Sequence, residues 1–120
     1  MDTQQSANKR GLNSLSMALA DKQSLHANYM PFIKDGGIFV PTNERFELHD
    51  EVILQLRLIE EGKKLLIPGR VVWLSSGMGQ RGTSPGVGLQ FTGEHRNRIR
   101  QFIEDVLGEL AKQPAANPAY

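Results

Sequence analysis

A glycine-rich run at residues 77–82 has the spacing of a motif that binds nucleotide phosphates. In the dinucleotide fingerprint G-x-G-x-x-G, the third glycine opens a helix whose N-terminus receives a pyrophosphate. Gly77, Gly79 and Gly82 fit the letters, but Pro85 and a strand-like pattern follow where that helix must begin. We therefore predict a flexible hairpin loop here and no phosphate site.

The other residue types that carry chemistry lack catalytic or metal-binding spacing. The chain has no cysteine, and His26, His49 and His95 lie far apart, without a second ligand three or four positions away. The acidic pairs at residues 50–51 and 60–61 fall at strand ends and turns, where solvated charge is expected. No nucleophile stands beside a base in a recognisable setting. We predict no metal site, no cofactor and no enzymatic activity.

The basic residues do not indicate nucleic-acid binding. Lys and Arg number 14 against 13 Asp and Glu, a formal net charge of +1, whereas phosphate recognition favours a clear basic excess. A small-barrel nucleic-acid binder would also need a basic, aromatic-laced sheet face, and the predicted strand at residues 51–59 offers only Arg57. Arg96, Arg98 and Arg100 open the last helix, where we favour a solvated polar face over a patch for an acidic partner.

Alternating apolar residues predict that most of the chain is β structure. The predicted strands lie at residues 15–19, 38–40, 51–59, 64–74 and 87–91. A turn containing Gly62 joins the third strand to the fourth. Asp21 is the predicted N-cap of a short helix at residues 22–29, which Pro31 ends.

The period of the apolar residues changes near the end of the chain. Between residues 99 and 110 they recur at spacings of three and four, which predicts an amphipathic helix. Thr92 or Gly93 is its predicted cap, and Glu94 lies where the helix dipole favours an anion. Strands followed by one helix predict a mainly β fold, a small antiparallel barrel with the helix packed against it.

Trp73, the only tryptophan, has two possible positions. By alternation it shares a face with Ile67 and Val71, which favours the core. Residues 68–69, Pro-Gly, predict a bulge or a bend in the middle of the same strand, which can turn Trp73 to the surface as a contact residue. The sequence therefore does not decide between the core and the surface for Trp73.

The chain divides into one domain and two short ends. We predict a disordered N-terminal arm at residues 1–10, a folded domain at residues 11–111 and a flexible tail at residues 112–120. No apolar run approaches the roughly 20 residues of a membrane span. The polar first residues lack the order of a signal peptide, so we expect a cytoplasmic protein without membrane insertion.

Four segments carry a resemblance to a known family. They are residues 29–34, 36–42, 69–73 and 86–91, of which the first is the most specific. The chain resembles the PilZ domain, and most closely the branch named for type IV pilus assembly. The resemblance implies a six-stranded antiparallel PilZ-type β-barrel with a C-terminal α-helix.

Many PilZ domains bind cyclic di-GMP, and this sequence departs from both motifs that do so. With Gly37 set on the glycine of the family's [D/N]-x-S-x-x-G motif, Phe32 takes the Asp position and Lys34 the Ser position. The family's R-x-x-x-R arm is absent, since only Lys9 and Arg10 are basic before Lys22. Each lost charge-assisted hydrogen bond removes about 1.5–3 kcal/mol. We predict that the chain does not bind cyclic di-GMP; the alternative is a cyclic di-GMP receptor with an atypical site.

The resemblance implies a non-enzymatic adaptor in type IV pilus biogenesis and twitching motility. Its implied protein partners are the pilus extension ATPase and an EAL-domain regulator that binds cyclic di-GMP itself. The residues expected to contact a partner are mainly aromatic or apolar, because aromatic anchors carry most binding energy at interfaces: Tyr29, Met30, Phe32, Trp73 and His26. The first three can equally seal the mouth of the barrel, and surface histidine without a role is the alternative for His26.

Overall fold

The computed structural model describes residues 13–76, 84–115 and 118–120. The described segments contain five strands, two α-helices and a short 3₁₀ helix. In chain order these are β1 (Asn13–Leu19), α1 (Lys22–Asn28), β2 (Gly37–Pro41), β3 (Glu51–Leu58), β4 (Lys63–Ser75), β5 (Gly86–Phe91), α2 (Arg96–Leu107) and the 3₁₀ helix Gly108–Lys112. No helix among the described residues is both long enough and apolar enough to cross a bilayer.

The five strands form one mixed half-barrel sheet in the order β1-β3-β4-β5-β2. The mainly β fold with a C-terminal helix is confirmed. The fully antiparallel arrangement is wrong, because β1 pairs with β3 in parallel while the other neighbours are antiparallel. Between β1 and β3 the chain builds α1 and the opposite edge strand β2, so no tight turn forces β1 and β3 to run in opposite directions. Six strands are not confirmed within the described segments.

The core lies between the concave face of the sheet and α2. The alternation predicted for β3 is confirmed, with Val52, Leu54, Leu56 and Leu58 buried. Helix α2 places Ile103 and Leu107 in the core, as its apolar stripe predicts. The position of its N-terminus is corrected. The helix begins at Arg96, and the cap residue His95 makes no side-chain capping hydrogen bond.

The short helix α1 forms as predicted. The Asp21 carboxylate accepts hydrogen bonds from the Ser24 backbone N–H at 2.9 Å and from the Ser24 hydroxyl at 2.8 Å. These bonds lower the pKa of Asp21, because they stabilise its charged form. The helix ends at Asn28, before Pro31, and Tyr29 then forms a β-bridge with Ile38.

The irregularity of β4 lies further along the strand than the sequence indicates. Pro68 pairs with Ile53 in regular register, and the shift falls between Val71 and Trp73. The extra residue turns Trp73 to the other face. Val71 is therefore buried while Trp73 keeps 40% of its surface exposed, so the structure shows the exposed one of the two positions left open for Trp73.

Candidate protein-binding surface

The turn that precedes β2 is tight and fixed to its surroundings by backbone hydrogen bonds. The Gly36 N–H donates to the Ile33 carbonyl at 2.7 Å, and the Gly36 carbonyl accepts from the Phe91 N–H at 2.9 Å. Asp35 and Gly36 both have positive φ angles, of 69° and 86°. This conformation is easy for glycine and tolerated by aspartate, so the turn can reverse sharply. It leaves Phe32 outside, with 61% of its surface exposed.

Tyr29 and Met30 are buried, with 2% and 0% of their surface exposed. The prediction of an exposed patch is therefore corrected at these two residues, which pack inside the domain as the barrel-sealing alternative expects. The reason is the bridge to Ile38 and the bond from the Met30 N–H to the Gly37 carbonyl, at 2.8 Å, which draw the segment onto β2.

The Tyr29 hydroxyl joins a polar cluster under α2. It donates to Oε2 of Glu104 at 2.5 Å, and Arg100 Nε lies 3.2 Å from the same oxygen. Burial raises the pKa of Tyr29 well above its ordinary value, and the neighbouring Glu104 carboxylate raises it further. The phenol is thus held in its neutral, donating form.

Replacing Tyr29 with phenylalanine is expected to lower the free energy of unfolding by about 1.5 kcal/mol, since a hydrogen bond to a charged group is lost. The contribution is fully present below about pH 10, the ordinary pKa of tyrosine, and declines as pH rises through the raised folded-state pKa. Urea denaturation at pH 7 and at increasing alkaline pH measures it. Tyr120→Phe, the same change at a half-buried ring, is the matched control and should stay within about 0.5 kcal/mol of the wild type. Equal stability of wild type and Tyr29→Phe at pH 7 would contradict this assignment.

Two of the three helix arginines face the turn before β2. Arg96 Nε lies 3.2 Å from Oδ2 of Asp35, and the aliphatic part of Arg100 packs over Gly36. These side chains therefore attach α2 to the turn that presents Phe32. The predicted solvated face fits Arg98, which is exposed, but not Arg96 and Arg100, which contact the turn.

Three aromatic rings surround that of Tyr120. The ring centroids of Phe32, Phe39 and Trp73 lie 5.8, 6.3 and 6.3 Å from the Tyr120 centroid. The Phe32 and Trp73 contacts are edge-on, the geometry that the ring quadrupoles favour. Phe39 is fully buried, whereas Phe32 and Trp73 are exposed. We call Phe32, Phe39 and Trp73 the aromatic surface.

The tail also contacts α1. His26 Nε2 lies 2.8 Å from the Gln113 carbonyl, and the Ala119 N–H donates to the Ala27 carbonyl at 2.9 Å. A groove of about 270 Å³ runs between α1 and the tail and includes His26, Phe32 and Tyr120 in its lining. His26 is thus occupied by a contact within the chain.

A scan against protein-family models matches the PilZ domain over residues 4–105 of the 120 residues. The chain belongs to the PilZ domain family. PilZ domains are regulatory and binding domains and not enzymes, and they bind cyclic di-GMP or mediate protein interactions. A search of curated proteins returned no match to this chain.

The residues that the sequence analysis aligned with the nucleotide motif, Phe32, Lys34 and Gly37, lie at and before the start of β2. Lys34 is exposed, and its carbonyl accepts a hydrogen bond from Gln90 Nε2 at 3.0 Å. Gly37 pairs with Gln90 in the sheet, and a Cβ atom there would lie 2.5 Å from the Leu89 carbonyl oxygen. A glycine at position 37 is therefore required by strand packing, whether or not a ligand binds.

The structure brings Phe32, Trp73 and His26 to one side of this PilZ domain, where each contacts the tail. Sequence reasoning missed Tyr120 and Phe39. The one available signal for Tyr120 was a large aromatic side chain in a tail of small residues and prolines, because such a ring seldom stays fully exposed.

Within the described ranges, no three His, Asp or Glu side chains form a metal-binding group. The glycine-rich run at residues 77–82 lies outside the described residues.

Proposed function

We propose that this PilZ domain is a non-enzymatic adaptor in type IV pilus biogenesis and twitching motility, and that it binds protein partners instead of cyclic di-GMP. One observation carries the proposal. Phe32, at the position aligned with the acidic residue of the ligand motif, lies exposed against Tyr120, whose ring also contacts Trp73, where a carboxylate would be needed for guanine. An exposed phenylalanine side chain at this position is suited to apolar contact with a protein partner.

The loss of nucleotide binding rests on chemistry at three places. Phe32 cannot accept the hydrogen bonds that an Asp or Asn accepts, and Lys34 cannot replace a serine hydroxyl as acceptor. The sequence before Lys22 supplies only the adjacent Lys9 and Arg10, so two guanidinium groups cannot clamp the ligand's phosphates and bases. These differences together oppose binding at signalling concentrations.

Protein binding is supported by the exposed rings. Phe32 and Trp73 are the two exposed large aromatic side chains of the described segments, and the tail contact brings both against one ring. Aromatic residues are typical interface anchors, and the third ring that contacts Tyr120, that of Phe39, is fully buried. By family resemblance, the pilus extension ATPase and an EAL-domain regulator are the partners to test.

The adaptor function is tested by biolayer interferometry with the purified pilus extension ATPase of the source organism. We expect saturable binding to the immobilised chain, without cyclic di-GMP in the buffer. A heat-unfolded sample of the same chain is the control for adhesion to exposed apolar surface. Absence of saturable binding, with the chain folded by circular dichroism, would contradict the assignment of the ATPase as partner.

A further inference from the structure

Tyr120 occupies the aromatic surface as a ligand would. Its ring meets the edges or faces of Phe32, Phe39 and Trp73 with centroid distances of 5.8 to 6.3 Å. The contact leaves Tyr120 half-buried, and this burial raises the pKa of its phenol. One aromatic side chain thus contacts two exposed rings and one buried ring.

The attachment of this ring to the domain is light. At residues 113–115 and 118–120, the hydrogen bonds are those from Ala119 to Ala27, from Gln113 to Leu110, and between His26 and the Gln113 carbonyl. No ion pair is seen in these described tail positions. Contacts of this kind are individually weak, so the segment can leave the surface without unfolding the core.

We propose that the aromatic surface is a site for one aromatic side chain, which Tyr120 fills within the chain and which an aromatic residue of a protein partner fills after displacing Tyr120. The proposal rests on the proposed adaptor function. It identifies the partner's contact by its chemistry, an aromatic ring on a short extended segment that can replace the chain's own Pro-Ala-Tyr end of the tail. Tyr120 then sets how strongly the adaptor binds.

The expected size of the effect follows from competition. An apparent dissociation constant equals the intrinsic constant divided by the fraction of molecules whose site is open. Aromatic contacts of this geometry contribute enough to keep the site closed in most molecules, so removing Tyr120 is expected to tighten partner binding by about 3- to 10-fold.

Trp73 is the only tryptophan, and its fluorescence tests whether Tyr120 occupies the surface in solution. Tyr120→Ala is expected to shift the Trp73 emission to longer wavelength and to increase acrylamide quenching, while Tyr120→Phe keeps the wild-type spectrum. A synthetic peptide of residues 113–120, added to a chain that ends at residue 112, should reverse the shift. Wild-type emission and quenching in Tyr120→Ala would overturn the proposal.

Displacement is tested with the same pilus extension ATPase in the interferometry assay. Tyr120→Ala should bind about 3- to 10-fold more tightly than wild type, Tyr120→Phe should match wild type, and the residue 113–120 peptide should compete with the ATPase. Weaker binding by Tyr120→Ala would show that Tyr120 belongs to the partner contact, and would overturn displacement while the adaptor function stands. If no variant binds the ATPase, the adaptor assignment and the displacement by this partner both fail, whatever the fluorescence shows.

Discussion

Trp73→Ala is expected to weaken binding of the pilus extension ATPase by about 30-fold, the factor that corresponds to a hot-spot residue at about 2 kcal/mol. Trp73 is 40% exposed and belongs to the aromatic surface, where a partner can cover it. The variant also removes one neighbour of Tyr120, which loosens the tail and offsets part of the loss, but a site without its larger exposed ring keeps little affinity. Interferometry with the variant measures the change.

The fold should survive this substitution. The Cβ atom of Trp73, which alanine keeps, packs against Gly88 of the neighbouring strand, while the exposed part of the ring is removed. Leu66→Ala is the matched control, since Leu66 is 67% exposed on the same strand but pairs with Gln55 of β3. It should leave ATPase binding unchanged. An unfolded Trp73→Ala by circular dichroism, or equal losses in both variants, would contradict the assignment of Trp73 as a contact residue.

Gly37→Ala is expected to destabilise the domain by about 3 kcal/mol, through overpacking that side-chain motion alone cannot relieve. The added Cβ would lie 2.5 Å from the backbone oxygen of Leu89 and 2.8 Å from Cδ1 of Ile33. Ile33 can shift, but the Leu89 carbonyl belongs to β5, which is paired with a strand on each side. Urea denaturation with the wild type as reference measures the loss.

Gly62→Ala separates this clash from the general cost of replacing a glycine. Gly62 has φ +66° and no atom within 4 Å of an added Cβ, so only backbone strain of about 1 kcal/mol is expected. A loss for Gly37→Ala no larger than that for Gly62→Ala would show that the strands do not approach so closely. The result bears on function, because strand packing alone would then account for a glycine at position 37, the residue that the sequence analysis aligned with the motif glycine.

The regular parts of the fold were predictable because one physical signal decides them. The alternation of Val52, Leu54 and Leu56 places all three side chains on one face only if the segment is a strand. The spacing of the stripe that contains Ile103 and Leu107 places it on one face only if the segment is a helix. The cap at Asp21 was predictable for the same reason, since its hydrogen bonds are local.

Features decided by contacts distant in sequence were not predictable. The apolar pattern of β1 is the same for either strand direction, and the long connection to β3, which includes β2 at the other edge of the sheet, leaves both directions open. The bulge before Trp73 shifts the alternation by one residue, and the only local signal, at Pro68, indicated another position. A one-residue shift moves a side chain to the opposite face.

Only part of the candidate surface could be predicted from the sequence. Phe32 follows Pro31 in a glycine turn, and a large apolar residue at that position by itself indicates a contact surface. The burial of Tyr29 and Met30 depends on the pairing with β2, and the contact between Phe32 and Tyr120 joins two residues that lie far apart in the sequence. Neither leaves a periodic trace in the sequence.

A calorimetric titration of the full chain with cyclic di-GMP tests most directly whether this PilZ domain binds proteins in place of the nucleotide. With the chain folded by circular dichroism, and a PilZ domain that carries both ligand motifs as the positive control, we predict no heat beyond that of dilution. Saturable binding in the low-micromolar range would contradict the account. It would mean that Lys9, Arg10 or Lys34 rebuild a nucleotide site and that the chain is a receptor.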